Sequence, residues 1–237
     1  MALPTYASPL EKIWHYAYLV ICGLIFLFLI APILIVIPLS FNAEPYFTFT
    51  EKMLSFDPTG YSTRWYDMLL TFGMVDPEAA RDGSWWADAW ANAAWINAAK
   101  NSVIIGFFST VLATCLGTLA ALGLSRPEMP FRRTIMAVLI SPMIVPIIIT
   151  ATGLFFFYSA TGLANTYLGI IMAHATLGSP FVIITVTATL VGFDKTLNQA
   201  AASLGANPTT TFFKITMPLI LPGVISGALF AFVTSFD

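Results

Sequence analysis

Charge is what this sequence has least of. Its 237 residues carry 10 Lys and Arg and 12 Asp and Glu, 9% of the chain, against 58% hydrophobic residues. Together with a mean hydropathy of +0.83, that balance excludes a soluble globular domain. Cysteine is almost absent: Cys22 and Cys115 both lie in apolar runs. A disulfide framework is therefore not indicated, and each thiol reads as a small hydrophobe. Histidine is limited to His15 and His174, far apart, so no cluster has metal-ligand spacing. The chain also lacks a G-x-x-x-x-G-K-[ST] phosphate loop, an H-E-x-x-H pair and a G-x-S-x-G elbow, which removes the usual signatures of an enzyme. There is no basic stripe to bind nucleic acid. No cofactor is expected in this chain.

What the chain does have is long uncharged runs, each to be measured against the roughly 20 apolar residues that cross a bilayer. Residues 13–43 contain no Asp, Glu, Lys or Arg, and the first span is expected at about 18–39. This run is longer than a signal-peptide core and lacks a small-residue cleavage site after it, so it reads as a retained span. Residues 101–125 form a second span. Sixty uncharged residues, 134–193, are interrupted by the weakly polar SATGLANT. They divide into spans at 134–158 and 167–191. A fifth begins at 218 and reaches Asp237. The expected class is an all-α integral membrane protein, one transmembrane domain over 1–237, with five spans and a sixth following beyond Asp237.

Basic residues set the orientation. Arg126, Arg132 and Arg133 against Glu128, and Lys195 and Lys214 against Asp194, mark two cytoplasmic connections. The segment 40–100, with eight acids and four bases, belongs outside. Five crossings then put the N-terminus in the cytoplasm. The outer segment holds five of the six tryptophans, four of them in SWWADAWANAAWINAAK. Indole favours the headgroup level, so this stretch is either an interfacial helix feeding the second span or a docking surface for a soluble partner.

Within the spans, Pro142 and Pro146 are expected to kink the third, and Gly178 with Pro180 the fourth, because each proline removes a ladder bond. Gly223 and Gly227 form a small-xxx-small pair that favours close approach of a helix, in this chain or a second one. His174 is an intramembrane ionisable residue, hence a candidate pathway group, or else a neutral residue hydrogen-bonded to a neighbouring helix. Asp237 is placed between the midplane and the outer face, where a carboxylate suits a cationic solute.

The stretch 192–217 is the longest polar interruption in the second half. Thr196 and Gln199 have capping-box spacing, and Gly205 supplies a left-handed stop about two turns on. Asn207 and Pro208 then read as N-cap and first-turn residue of a second helix, which Pro218 closes or kinks. Leu197, Ala200, Ala201 and Leu204 fall at i, i+3, i+4 and i+7, one apolar stripe that asks for a partner.

The segment QAAASLGANPTTTFFKITMP resembles the EAA loop of binding-protein-dependent ABC importer permeases. That pattern is E-A-A, three residues, Gly, nine residues, then I-x-L-P. Ala200, Ala201, Gly205, Ile215 and Pro218 match at the right spacing. Gln199 stands where the family usually has Glu, and Met217 where it usually has Leu. NSVIIGFFSTVLATCLGTLAALGLSR resembles the family's second span. FDPTGYSTRWYDMLL and the closing SFD look most like the spermidine and putrescine subgroup; permeases for ferric iron, thiamine, phosphonates or opines share much of the pattern. The resemblance implies a type I ABC importer transmembrane domain in a bacterial inner membrane. It implies four kinds of partner: a cytoplasmic ATPase dimer carrying ATP and Mg, a second permease of a different chain, a periplasmic or extracellular solute-binding protein, and the lipid bilayer. For a polyamine, Asp237, His174, Trp65 and Tyr66 are the pathway candidates. The contrasting class, an autonomous secondary transporter or channel, needs its own coupling or selectivity groups near the midplane.

Overall fold

The computed structural model describes residues 8–126, 128–194 and 196–236, and all regular structure among them is helical. The chain forms two compact units, Met1–Asn97 and Ala98–Asp237.

The first unit opens with helix α1, Pro9–Leu39. It starts earlier than the expected span because Ser8 and Glu11 form a capping box. The Glu11 N–H donates to Ser8 Oγ at 3.3 Å and the Ser8 N–H to Glu11 Oε2 at 2.8 Å, with Pro9 in the first turn. These bonds satisfy backbone donors that a helix start would otherwise leave open. Only Leu39 of α1 is buried, so nearly the whole helix is left for lipid or a partner. Short helices follow: α2, Glu51–Leu54, and α3, Arg64–Thr71, with a 3-10 turn at Pro58–Gly60 between them.

Helix α4, Gly83–Asn92, is capped by Asp82, whose Oδ1 accepts from the Ser84 and Trp85 N–H groups. Trp85 is buried, and its indole N–H donates to the Pro77 carbonyl at 3.2 Å. Trp86, Trp90 and Trp95 are exposed. The tryptophan-rich stretch thus splits into one core residue and three surface rings. Asp88 accepts from the Val75 and Asp76 N–H groups and from Asn92 Nδ2. These bonds hold its carboxyl below the usual range, as the bonds from Ser84 and Trp85 do for Asp82.

Helix α5, Ala94–Leu124, begins seven residues before the expected second span. The second unit is built on it together with α8, Tyr167–Val191, and α11, Met217–Phe236. Their common core is small and aliphatic: Ala113 and Ala121 from α5, Ala175, Val182 and Val186 from α8, and Ile220, Val224 and Ala231 from α11. Small residues are what let the backbones approach. A Cβ on Gly223 would strike Thr189 and the Thr185 carbonyl, and one on Gly227 would lie 2.7 Å from Val182 Cα. The partner of the Gly223/Gly227 pair is therefore α8 of the same chain, with van der Waals contact replacing the hydrophobic drive that lipid cannot supply.

Between α5 and α8 lie α6, Arg132–Ile144, and α7, Ile147–Thr161, bent from one another by 100°. The expected third span is thus a broken pair, not a single kinked rod. Pro142 sits inside α6, and the break falls at Val145 and Pro146. At ~1.5 Å per residue neither piece covers the ~30 Å of hydrocarbon alone. Pro180, by contrast, lies within an unbroken α8. The described chain has four helices long and apolar enough to span, or five if the bent pair counts as one.

Candidate functional site

Helix α9, Thr196–Ser203, lies beyond the end of α8. Thr196 is its first helical residue rather than its cap. The Asp194 carboxylate accepts the Thr196 N–H at 2.9 Å, and that bond with the Thr196 hydroxyl holds Asp194 below its usual pKa range. At the other end Gly205 has φ +81. Its N–H donates to the Ala202 carbonyl, and the Ala206 N–H to Ala201, both at 3.0 Å. The two bonds make a Schellman stop.

Asn207 caps α10, Pro208–Thr211, by accepting the Thr210 N–H at 2.7 Å. The chain then runs through a π turn, Phe212–Thr216, straight into α11. Pro218 therefore neither closes nor ends this helix. A proline ring clashes with the carbonyl four residues back, here Lys214, and the wider π turn makes room for it. Ile215 is half-buried in the π turn, and Pro218 is exposed in the first turn of α11.

The expected apolar stripe of α9 divides. Ala201 is 6% exposed and packs inward, while Leu197 is 43% and Leu204 89% exposed; Ala200 is exposed as well. Gln199 lines a cleft of about 860 Å³ together with Arg126, Asn198, Phe193 and Phe212. Among the described residues Arg126 makes no ion pair. A Glu at 199 would bring a carboxylate to that cleft; Gln brings none. Asn198 reaches the π turn, accepting from Thr216 Oγ1 at 3.3 Å. Sequence reasoning missed both the π turn and this bond. Pro218 was the signal available for the first.

His174 lies inside α8, about 10 Å from its start at ~1.5 Å per residue. Its Nδ1 is 2.9 Å from Ser235 Oγ and 3.1 Å from the Ser235 carbonyl on α11. It also lines a mostly apolar cavity of about 340 Å³ with Tyr158, Phe155 and Asn165. This is the interhelical hydrogen bond of a packed residue that still borders open space. Trp65 and Tyr66 lie in the first unit. The Trp65 indole N–H donates to the Asn42 carbonyl at 3.0 Å, and Tyr66 Oη pairs with Ser40 Oγ at 2.7 Å. Both border a third cavity of about 370 Å³. Asp237 and Lys195 lie outside the described residues. No group of three His, Cys, Asp or Glu able to hold a metal occurs among the described residues.

Residues 113–237 match the family described as the binding-protein-dependent transport system inner membrane component. The spermidine/putrescine transport system permease protein PotC of Haemophilus influenzae is 31% identical over 213 residues, 90% of this chain and 72% of the relative. The chain belongs to this permease family. The putrescine transport system permease protein PotI of Escherichia coli is 32% identical over 243 residues, 99% of this chain and 74% of the relative. Among solved structures, a bacterial ABC transporter that imports the acidic polysaccharide alginate aligns with a TM-score of 0.62. It is 18% identical and covers 98% of this chain and 74% of its own. The fold is that of a type I ABC importer transmembrane domain. This permease is a membrane-embedded transport component, distinct from the ATPase subunit of such a system.

Proposed function

We propose that this permease forms, with a second and different permease chain, the inner-membrane pathway of an ATP-driven importer of polyamines such as putrescine and spermidine. A solute-binding protein delivers the solute from outside, and a cytoplasmic ATPase dimer holds the ATP and Mg. The N-terminus lies in the cytoplasm. Helix α9 is the contact with the ATPase, and the carrying observation is its exposed Leu204 beside a rigid Schellman stop. From Pro208 onward the helical chain continues without a break into α11. A push on α9 thus reaches a pore helix as rigid-body movement. His174, Asp237, Trp65 and Tyr66 are the residues assigned to the cargo route. The polyamine cargo rests on the names of PotC and PotI, the relatives aligned over most of the chain.

Uptake competition tests this reading. Cells deleted for the chain and complemented with the complete operon should regain labelled putrescine uptake. Unlabelled spermidine should compete, and trehalose or thiamine should not. Uptake that ignores the deletion, or is competed only by an unrelated solute, overturns the polyamine reading. Transport by the purified chain alone in ATP-free liposomes would make it an autonomous transporter.

A further inference from the structure

The cavity beside Trp65 has a wall chemistry that selects a ligand class. Tyr46, Phe47, Trp65, Tyr66 and Trp95 are among its lining residues, and among the described residues Glu44 is the only charged one that lines it. Its volume of about 370 Å³ lies at the small end of the ~300–1,000 Å³ usual for small-molecule sites. The loop that carries Glu44 and Tyr46 is stapled by buried Asn42. Asn42 Nδ2 donates to the Tyr46 and Thr48 carbonyls, both at 2.8 Å, and its Oδ1 accepts the Glu44 N–H at 2.9 Å.

Most of the other side-chain hydrogen-bonding groups around the cavity are turned to the protein itself. The two Asn42 amide protons are used, the Trp65 N–H is bonded to Asn42, and the Ser40 and Tyr66 hydroxyls pair with each other. A sugar, which needs many side-chain donors and acceptors, finds few here. An anion meets a carboxylate. What remains is one carboxylate and several π faces, the combination that attracts an ammonium with an apolar stem. Arg64 sits outside the lining with its guanidinium 4.4 Å from the Trp65 ring centroid. Among the described residues Glu44 makes no ion pair.

We propose that this cavity binds the alkylammonium end of the solute, with the Glu44 carboxylate as anchor and the aromatic rings as walls. The proposal rests on the polyamine reading for the identity of the solute, and on the cavity alone for the chemistry. It gives the importer an outer cation site of its own, separate from the solute-binding protein.

The test is calorimetric titration of the assembled transporter in lipid nanodiscs without the solute-binding protein. The probes are putrescine, spermidine and the uncharged isostere 1,4-butanediol. Putrescine and spermidine should bind, and butanediol should not. Glu44→Gln should weaken binding about tenfold, the scale of one charge-assisted hydrogen bond. Tyr46→Leu should weaken it less, and Glu44→Asp should retain part of it. Glu44→Gln keeps the backbone N–H that Asn42 holds, so the loop fold survives it. Equal putrescine affinity in wild type and Glu44→Gln, or equal binding of butanediol, overturns the site. So does a Glu44→Gln variant that loses only the solute-binding protein, which would make the cavity a protein-docking surface. Operon-dependent putrescine uptake with no Glu44-dependent binding defeats the site and leaves the polyamine function standing. Glu44-dependent binding without polyamine uptake defeats the function and leaves the site.

Discussion

Thr216 Oγ1 donates to Asn198 Oδ1 at 3.3 Å, joining the middle of helix α9 to the π turn that opens α11. Thr216 is buried and Asn198 half-buried, and the bond borders the cleft of about 860 Å³ that both residues line. Its loss leaves a polar group without its partner at the junction through which α9 would move α11. Asn198→Ala and Thr216→Val should each lower uptake several-fold at unchanged membrane abundance, from ~1 kcal/mol for the bond. Uptake per inserted transporter, with ATPase stimulation measured in parallel, checks it. Wild-type coupling in both variants would show that the π turn transmits force without this bond.

At Gly205 the backbone has φ +81, and an added Cβ would meet nothing within 4 Å. Any penalty there comes from the left-handed backbone alone, not from crowding. Gly205→Val should cost about 1–2 kcal/mol in the α9 stop and depress uptake while the protein still inserts. Gly205→Asn should be nearly silent, since Asn tolerates this region. Equal activity of the two variants would remove the conformational explanation.

How much was legible depended on whether a signal was local. The long apolar helices could be read because charge is excluded from them, and the Gly205 stop and Asn207 cap because each is set by one residue's own chemistry. Tertiary consequences were not legible. Ala201 and Leu204 share a helical stripe in the sequence, yet only Ala201 turns inward. The prolines mark where α6 and α7 part, with Val145 held extended before Pro146, but not the 100° between the two pieces. Glu44 carried no motif at all; its place beside Trp65 is visible only once Asn42 has folded its loop.

Acid should loosen the outer segment. Hydrogen bonds depress the folded-state pKa values of Asp82 and Asp88, so their stabilisation is complete above the ordinary Asp value of about 4. It is lost as pH falls through the lower folded values. Buried Trp85, whose N–H is held by Asp82, reports the change through its fluorescence. Asp82→Asn keeps a competent cap without the titrating group and should reduce the acid transition. A transition unchanged in Asp82→Asn would assign the acid response elsewhere.

Two members of the α9 stripe make opposite predictions for the same substitution. Leu204 is 89% exposed and contributes little to the fold of its own chain, whereas Ala201 is 6% exposed. Leu204→Glu should therefore insert normally and lose the ATPase on co-purification, because the charge falls only on the contact surface. Ala201→Glu forces a carboxylate into a packed site and should lower abundance first, at a cost of several kcal/mol. Quantifying inserted protein and retained ATPase for both variants separates the contact face from the packing face. If Leu204→Glu held the ATPase as well as wild type, the exposed end of α9 would not be the docking contact.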